Sequence, residues 1–252
     1  MQNGLFKRHR TLVLIAVALL ALAVVLHIAH VLIFRDPHHT IIYLFGDIAF
    51  LPVEVVVVAM VMERILASYE RRSLLHKMNM VIGTFFSELG TQLLGELSPA
   101  VANLDPLRPN LCVAGNWDAA RWKAAQGQAG QYPIKIDLDR IDLDHLKTLL
   151  QSKRDLLVLL LANPNLLEHE HFTDLLWAVS HLMEELAARS GFRELPSTDR
   201  DHLAGDIKRA FTRLICQWLP YCRHLQETYP YIFSIVVRTN PFKADPSPTV
   251  YA

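Results

Sequence analysis

Two pairs of side chains in the second half of the chain have a spacing that could bind a metal ion. Glu168 and His171 open one predicted helix, and Asp199 and His202 open the next, each pair with an acid-x-x-His spacing. Residues three apart share a helical face, and ferritin-like di-iron proteins use Glu-x-x-His pairs from two helices in this way. Both pairs flank the apolar stripe of their helix, a position that is also typical of solvated side chains.

More polar residues continue along the same two helices. The first helix carries four at near-heptad steps, namely His171, Asp174, His181 and Glu185, and the second continues with Asp206, Arg209 and Arg213. Polar residues beside an apolar stripe are the normal flank of an amphipathic helix. We interpret these continuations as solvated faces. The only cofactor that the sequence suggests is a metal ion, bound by the two acid-x-x-His pairs.

Two carboxylates interrupt a segment that is otherwise suited to lipid. Asp47 and Glu54 lie on either side of Pro52, and their i, i+7 spacing places them on one helical face. An ionised carboxylate at the centre of a membrane helix costs on the order of 3 kcal/mol, so such groups face a partner, a bundle interior or water. His27 of the preceding apolar run lies at a depth similar to that of Asp47, roughly 10 Å from the outer surface. Glu54 lies deeper, opposite apolar residues.

Glu54 therefore has no polar partner within an isolated two-helix hairpin. Either Glu54 is protonated, or its helix face meets other copies of the chain, which predicts a homo-oligomer. A path for ions or protons lined by Asp47 and Glu54 is an alternative, because Pro52 would free a backbone carbonyl between them.

Two apolar segments near the N-terminus are long enough to cross a membrane. Residues 11–34 contain no Asp, Glu, Lys or Arg, and about 20 apolar residues span a bilayer. Residues 41–62 form the second segment after the short polar turn RDPHHT. Basic residues flank both outer ends of this pair and are sparse in the turn, so the positive-inside rule places both termini in the cytoplasm. The sequence predicts a membrane hairpin of two spans.

Through most of the remaining chain an apolar residue recurs every three or four positions, which predicts an all-α protein. Pro99, Pro106, Pro109 and Pro133 interrupt this period. The predicted regions are a transmembrane hairpin at 1–66, an amphipathic connecting helix at 67–97, an irregular linker at 98–140, a cytoplasmic helical-bundle domain at 141–243 and a loose tail at 244–252.

Charge and motifs exclude several classes of function. The chain has 25 basic and 25 acidic residues, so no charge bias toward nucleic acid exists. Its three cysteines form no C-x-x-C pair, as expected of reduced thiols. No P-loop, dinucleotide-binding or G-x-S-x-G motif is present. The sequence therefore favours a protein that is not an enzyme.

Three strings of the sequence carry a resemblance: HKMNMVIGTFFSELGTQLL, ANPNLLEHEHFTDLLWAVSHLMEEL and YPYIFSIVVRTNPF. Together they resemble a group of uncharacterised prokaryotic two-span membrane proteins over about residues 41–243. The resemblance implies a helical architecture in a prokaryotic inner membrane and carries no activity.

The leading interpretation is an oligomeric inner-membrane anchor with a cytoplasmic helical domain that binds a protein partner or transmits a signal. One alternative is an oligomer that conducts ions or protons through Asp47 and Glu54. The other is a metal-dependent helical domain that uses Glu168, His171, Asp199 and His202.

Overall fold

The computed structural model describes the backbone of residues 2–35, 37–164 and 169–250. Within these ranges the side chains of 2–13, 15–16, 34, 37, 39–40 and 71–76 are not described. The described residues form ten α-helices and no extended sheet, which confirms the all-α prediction. The helices are α1 (Gln2–Phe34), α2 (Pro37–Phe85), α3 (Thr91–Leu97), α4 (Arg108–Leu111), α5 (Ala119–Gln131), α6 (Leu143–Ser152), α7 (Arg154–Leu161), α8 (Glu170–Ala188), α9 (Ser197–Thr228) and α10 (Pro230–Arg238).

The chain divides into two compact units, residues 1–69 and 70–252. The first unit holds α1 and the beginning of α2, whose apolar side chains are exposed. One described segment, Ile41–Glu70, is long and apolar enough to cross a membrane, with a mean hydropathy of 2.2 and no buried part. The apolar stretch Val17–Ile33 is shorter. Some side chains of the predicted first span, 11–34, lie outside the described set.

The polar residues of the first unit lie among exposed apolar side chains. His27, Asp47, Pro52 and Glu54 are all exposed in the single chain. The Nδ1 atom of His27 lies 3.0 Å from the carbonyl oxygen of Ala23. The ion pairs of the described residues do not include the contact between His27 and Asp47 that equal depth suggests, so the two helices do not satisfy Asp47 in this way.

The core of the second unit is built on the apolar face of the amphipathic helix that the sequence predicts at 67–97. Six of its members are buried: Met78, Ile82, Phe85, Leu89, Leu93 and Leu97. Burying a large apolar side chain contributes about 1.5–3 kcal/mol, so this face stabilises a packed domain.

A single π-helical turn, Phe86–Gly90, separates α2 from α3. A Cβ atom at Gly90 would lie 2.6 Å from Cδ1 of Phe86 and 2.7 Å from Cε1 of Phe85. Phe85 in turn meets Phe172 of α8 edge to face, with ring centroids 5.6 Å apart. The glycine therefore allows this turn to pack against two aromatic rings.

Residues 98–140 differ from the predicted linker, because the structure places them within the second unit. Trp122 of α5 is buried, and its Nε1 donates a hydrogen bond to Oε1 of Gln226 at 2.7 Å. Asp118 caps α5 by accepting a hydrogen bond from the backbone N–H of Arg121. The bond from Trp122 to Gln226 joins residues more than a hundred positions apart, and the spacing of prolines and glycines does not reveal such a contact.

The segment around α10 also packs against the core, through the buried side chains of Phe233 and Phe242. Residues 229–238, which fit either a helix or a strand by sequence, contain the helix α10, and Phe242 beyond it is buried against Trp218. Within the predicted loose tail, the N–H of Ser247 bonds the carbonyl of Arg238 at 3.1 Å. Contacts to α9 and α10 therefore continue beyond the last helix.

Helices α8 and α9 bury the apolar faces that their periods predict, including Leu175, Leu182, Ile207 and Leu214. Ion pairs between the two helices run in opposite order along the chain, since Glu185 meets His202 and Asp174 meets Arg213. The helices are therefore antiparallel. This pairing brings polar residues from both helices together at the edge of the core.

Candidate metal centre

Four side chains from α8 and α9 converge at one place: His181, Glu185, His202 and Asp206. Each helix contributes a histidine and an acid four residues later, so both members of a pair lie on one helical face. The antiparallel arrangement turns the two faces toward each other. One candidate ligand atom from each of the four residues lies within 4.8 Å of all the others.

Imidazole nitrogens and carboxylate oxygens alternate around this group. The Nε2 atom of His202 lies 3.3 Å from Oδ2 of Asp206 and 3.5 Å from Oε2 of Glu185. The Nε2 atom of His181 lies 3.6 Å from Oδ2 of Asp206 and 3.9 Å from Oε1 of Glu185. Ligand atoms about 2.1 Å from a tetrahedral ion lie about 3.4 Å apart, so small side-chain shifts would close the group on a metal ion.

Asp206 has an unsatisfied oxygen at the centre of the group. Its side chain is only 2% exposed, and Oδ1 accepts a hydrogen bond from Nη1 of Arg209 at 2.8 Å. Its Oδ2 atom is buried, and no hydrogen bond from the described residues reaches it. A buried acceptor without a partner costs about 1–3 kcal/mol or more when charged. A cation between Oδ2 and the two imidazoles would remove this cost.

Arg189 holds the acidic side of the group in place. Its Nη1 donates to Oε2 of Glu185 at 2.8 Å, while its Nε and Nη2 donate to the two oxygens of Asp199 at 3.0 and 2.6 Å. The hydrogen bond from Arg189 lowers the pKa of Glu185 and likewise that of Asp199, and the bond to Asp199 raises the pKa of Arg189. Glu185 is therefore held as the ionised carboxylate that a metal ligand must be.

The donor set narrows the ion that this group could hold. Imidazole suits zinc, copper, iron and nickel, and two carboxylates add hard oxygen ligands. Four protein ligands complete a tetrahedral zinc site, whereas an octahedral ion would keep two positions for water or a ligand. The arrangement fits one divalent transition-metal ion rather than calcium, which takes oxygen ligands only.

The four ligands predicted from the sequence end in different places. His202 belongs to the group, whereas Asp199, three residues before His202, pairs with Arg189. His171 is exposed on α8, ten residues before His181 in the sequence, and Glu168 lies outside the described residues. The structure thus brings His202 together with three residues that the sequence did not predict as ligands.

The sequence predicts solvated flanks at His181, Glu185 and Asp206, and this prediction is wrong for Asp206, which is buried. The missed signal is the matched spacing of His-x-x-x-Glu on α8 and His-x-x-x-Asp on α9. Such pairs identify a site only once the register of the two helices is known. The sequence alone does not give that register.

Comparisons with known proteins identify relatives over nearly the whole chain. Residues 74–238 match the family described as "Uncharacterized protein MJ1433, C-terminal helical domain", and residues 7–66 match "MJ1433, N-terminal helical domain". The chain is 38% identical to "Uncharacterized protein MJ1433" of Methanocaldococcus jannaschii over 233 residues, which cover 92% of this chain and 94% of that protein. No solved structure matches. The chain belongs to the MJ1433 family, whose members combine an N-terminal and a C-terminal helical domain.

Proposed function

We propose that this protein is a membrane-anchored helical protein whose second unit binds one divalent transition-metal ion between α8 and α9. The ligands are His181, Glu185, His202 and Asp206. One observation carries the proposal: the buried Oδ2 of Asp206 has no hydrogen bond among the described residues and lies 3.3 and 3.6 Å from two imidazole nitrogens. A cation is the partner that satisfies such an oxygen and two such nitrogens together.

Binding at this place would link the metal ion to the stability of the helix pair. A ligand that binds only the folded state at 100 times its Kd adds about 2.7 kcal/mol to the free energy of unfolding. The ion would join α8 and α9 beside the connection between them. Metal binding would then change the surface of α8 and α9 to which a cytoplasmic protein partner binds. This change is how the protein would transmit a signal.

The anchoring role rests on the first unit. The segment Ile41–Glu70 has the length and composition of a membrane span, and its apolar side chains are exposed. Two spans in the inner membrane with both termini in the cytoplasm agree with the distribution of basic residues. Asp47 and Glu54 are exposed within this apolar surface, which supports a homo-oligomer that covers them. Conduction of ions or protons through that oligomer is the rival role for the same two acids.

Metal titration of the full chain in detergent tests the central proposal. The protein is stripped with a chelator and titrated with Co²⁺, whose visible absorption reports its ligands, and then with Zn²⁺ in competition. We expect one equivalent to bind. The substitution His181→Gln should weaken binding by about a hundredfold or more, because a direct ligand is lost.

His171→Gln is the matched control, because it changes another histidine of the same helix. It should leave the Co²⁺ spectrum and affinity unchanged. Absence of stoichiometric binding, or equal effects of the two substitutions, would overturn the proposal. A loss of binding in His171→Gln alone would instead support the ligand set predicted from the sequence.

A further inference from the structure

A cleft adjoins the candidate metal centre and shares one of its residues. It has a volume of about 330 Å³, within the range of small-molecule sites. Its lining comes from α8 and α9 and consists of Asp174, Trp177, Ala178, His181, Arg209 and Arg213. His181 belongs to both the cleft and the metal centre, and Arg209 bonds the buried Asp206. A ligand in this cleft would therefore lie beside the metal ion.

Two guanidinium groups, those of Arg209 and Arg213, line the cleft. Arg209 donates from Nη1 to Asp206 at 2.8 Å, and Arg213 pairs through Nη2 with Asp174 at 3.2 Å. A guanidinium has five N–H donors, so these bonds leave donors of both groups for a ligand. Their side chains are 57% and 45% exposed, which leaves them accessible from solvent. Paired N–H donors of arginine match the oxygens of a phosphate group.

The metal ion would reverse the sign of the local charge. The charged groups of the centre, of the cleft and of the Arg189–Asp199 pair that contacts Glu185 are the carboxylates of Asp174, Glu185, Asp199 and Asp206 and the guanidiniums of Arg189, Arg209 and Arg213. Four negative and three positive groups leave a net charge of −1, and a divalent cation changes this to +1. An anion is thus repelled from the empty site and attracted to the loaded one.

Trp177 adds an apolar surface to the same cleft. Its side chain is 61% exposed, although tryptophan is highly buried on average in folded proteins. The indole offers a flat face on which a planar group can stack. A flat aromatic surface beside two arginines fits a ligand that has a ring at one end and an oxyanion at the other.

We propose that this cleft binds a small organic phosphate that carries a flat ring, and that binding requires the metal ion at His181, Glu185, His202 and Asp206. This inference rests on the proposed metal site. It adds a ligand class that the metal site alone does not imply. The proposal assigns ligand binding to Arg213 and Trp177, and neither residue is a metal ligand.

Calorimetric titration of the full chain in detergent with phenyl phosphate tests the inference. Phenol, which has the ring without the charge, is the ligand control. We expect phenyl phosphate to bind the Zn²⁺-loaded protein at least about tenfold more tightly than the metal-free protein. Arg213→Gln should remove about a factor of ten or more from this affinity, because a charge-assisted hydrogen bond is lost.

Arg223→Gln is the matched protein control, since Arg223 also lies on α9, pairs with an acid and is 40% exposed. It should bind phenyl phosphate like the unaltered protein. Zn²⁺ binding is measured on every variant. Normal Zn²⁺ binding with phenyl phosphate affinity that is independent of the metal or of Arg213 overturns this inference and leaves the metal site standing. Absence of Zn²⁺ binding overturns both.

Discussion

Carboxylates in the two units of the chain occupy opposite surroundings. Asp206 is buried and lies among an arginine and two histidines, whereas Glu54 is exposed on an apolar helix surface. In the second unit the chain itself supplies the neighbours of the acid, and a metal ion would complete them. In the first unit Glu54 is exposed in the single chain, and we propose that other copies of the chain supply its neighbours. On the proposed account each acid lacks one partner, which is a metal ion for Asp206 and another copy of the chain for Glu54.

Among the substitutions that test this comparison of the two units, Asp206→Asn is expected to have the largest effect. Loss of the charged ligand should weaken metal binding by at least about a hundredfold, so the free energy of unfolding at saturating Zn²⁺ should fall by about 2.7 kcal/mol. In the metal-free protein the same substitution should have little effect or be stabilising, because it removes an unsatisfied buried carboxylate. Denaturant unfolding with and without Zn²⁺ measures both values.

Asp174→Asn is the control for this comparison, because Asp174 is 40% exposed and is not among the candidate ligands. Its unfolding free energy should change by less than about 1 kcal/mol under both conditions. An Asp206→Asn protein that is equally destabilised with and without Zn²⁺ would contradict the account, since Asp206 would then act only in packing.

A smaller effect is expected at Arg189, which orients Glu185 and binds Asp199. Arg189→Gln should weaken Co²⁺ binding by about 10- to 100-fold, the usual consequence of losing a group that positions a metal ligand. The Co²⁺ spectrum at saturation should keep its shape, because the four ligands remain. A changed spectrum would show that Arg189 does more than position Glu185.

The apolar faces of the helices in the second unit could be predicted from the sequence, whereas the candidate metal centre could not. The recurrence of Leu89, Leu93 and Leu97 already identifies a buried face, because helix period and burial are coupled locally. The role of Asp206 depends on which residues of α8 face α9, and that register follows from packing of the whole domain. His202 could be singled out by type and spacing, but its partners could not.

Residues 98–140 illustrate the same limit on a larger scale. Asn240 donates a hydrogen bond to the carbonyl oxygen of Leu111 at 2.9 Å, and Gln226 bonds Trp122 of α5. Both contacts join positions more than a hundred residues apart. The local sequence shows the prolines of this segment, but it does not show the distant residues whose hydrogen bonds fix the segment in the domain.

The smallest effect among the single substitutions is expected at Glu54. Glu54→Gln should weaken self-association in detergent by about 1 kcal/mol, the usual contribution of a polar contact between membrane helices. Sedimentation of the full chain over a range of detergent concentrations measures it. Glu63→Gln is the matched control on the same helix, and it should leave self-association unchanged.

Unaltered self-association in Glu54→Gln would remove the case for an oligomer that covers this acid. Ion flux into liposomes distinguishes assembly from the alternative role, which is conduction of ions or protons. Flux that depends on Glu54 would favour conduction, whereas its absence together with weakened self-association would favour assembly alone.

Anomalous diffraction from crystals of the Co²⁺-loaded full chain tests the central claim most directly. The account predicts one strong anomalous peak between α8 and α9, about 2.0–2.2 Å from Oδ2 of Asp206 and from the Nε2 atoms of His181 and His202. A peak elsewhere in the chain, or none at stoichiometric cobalt, would contradict it.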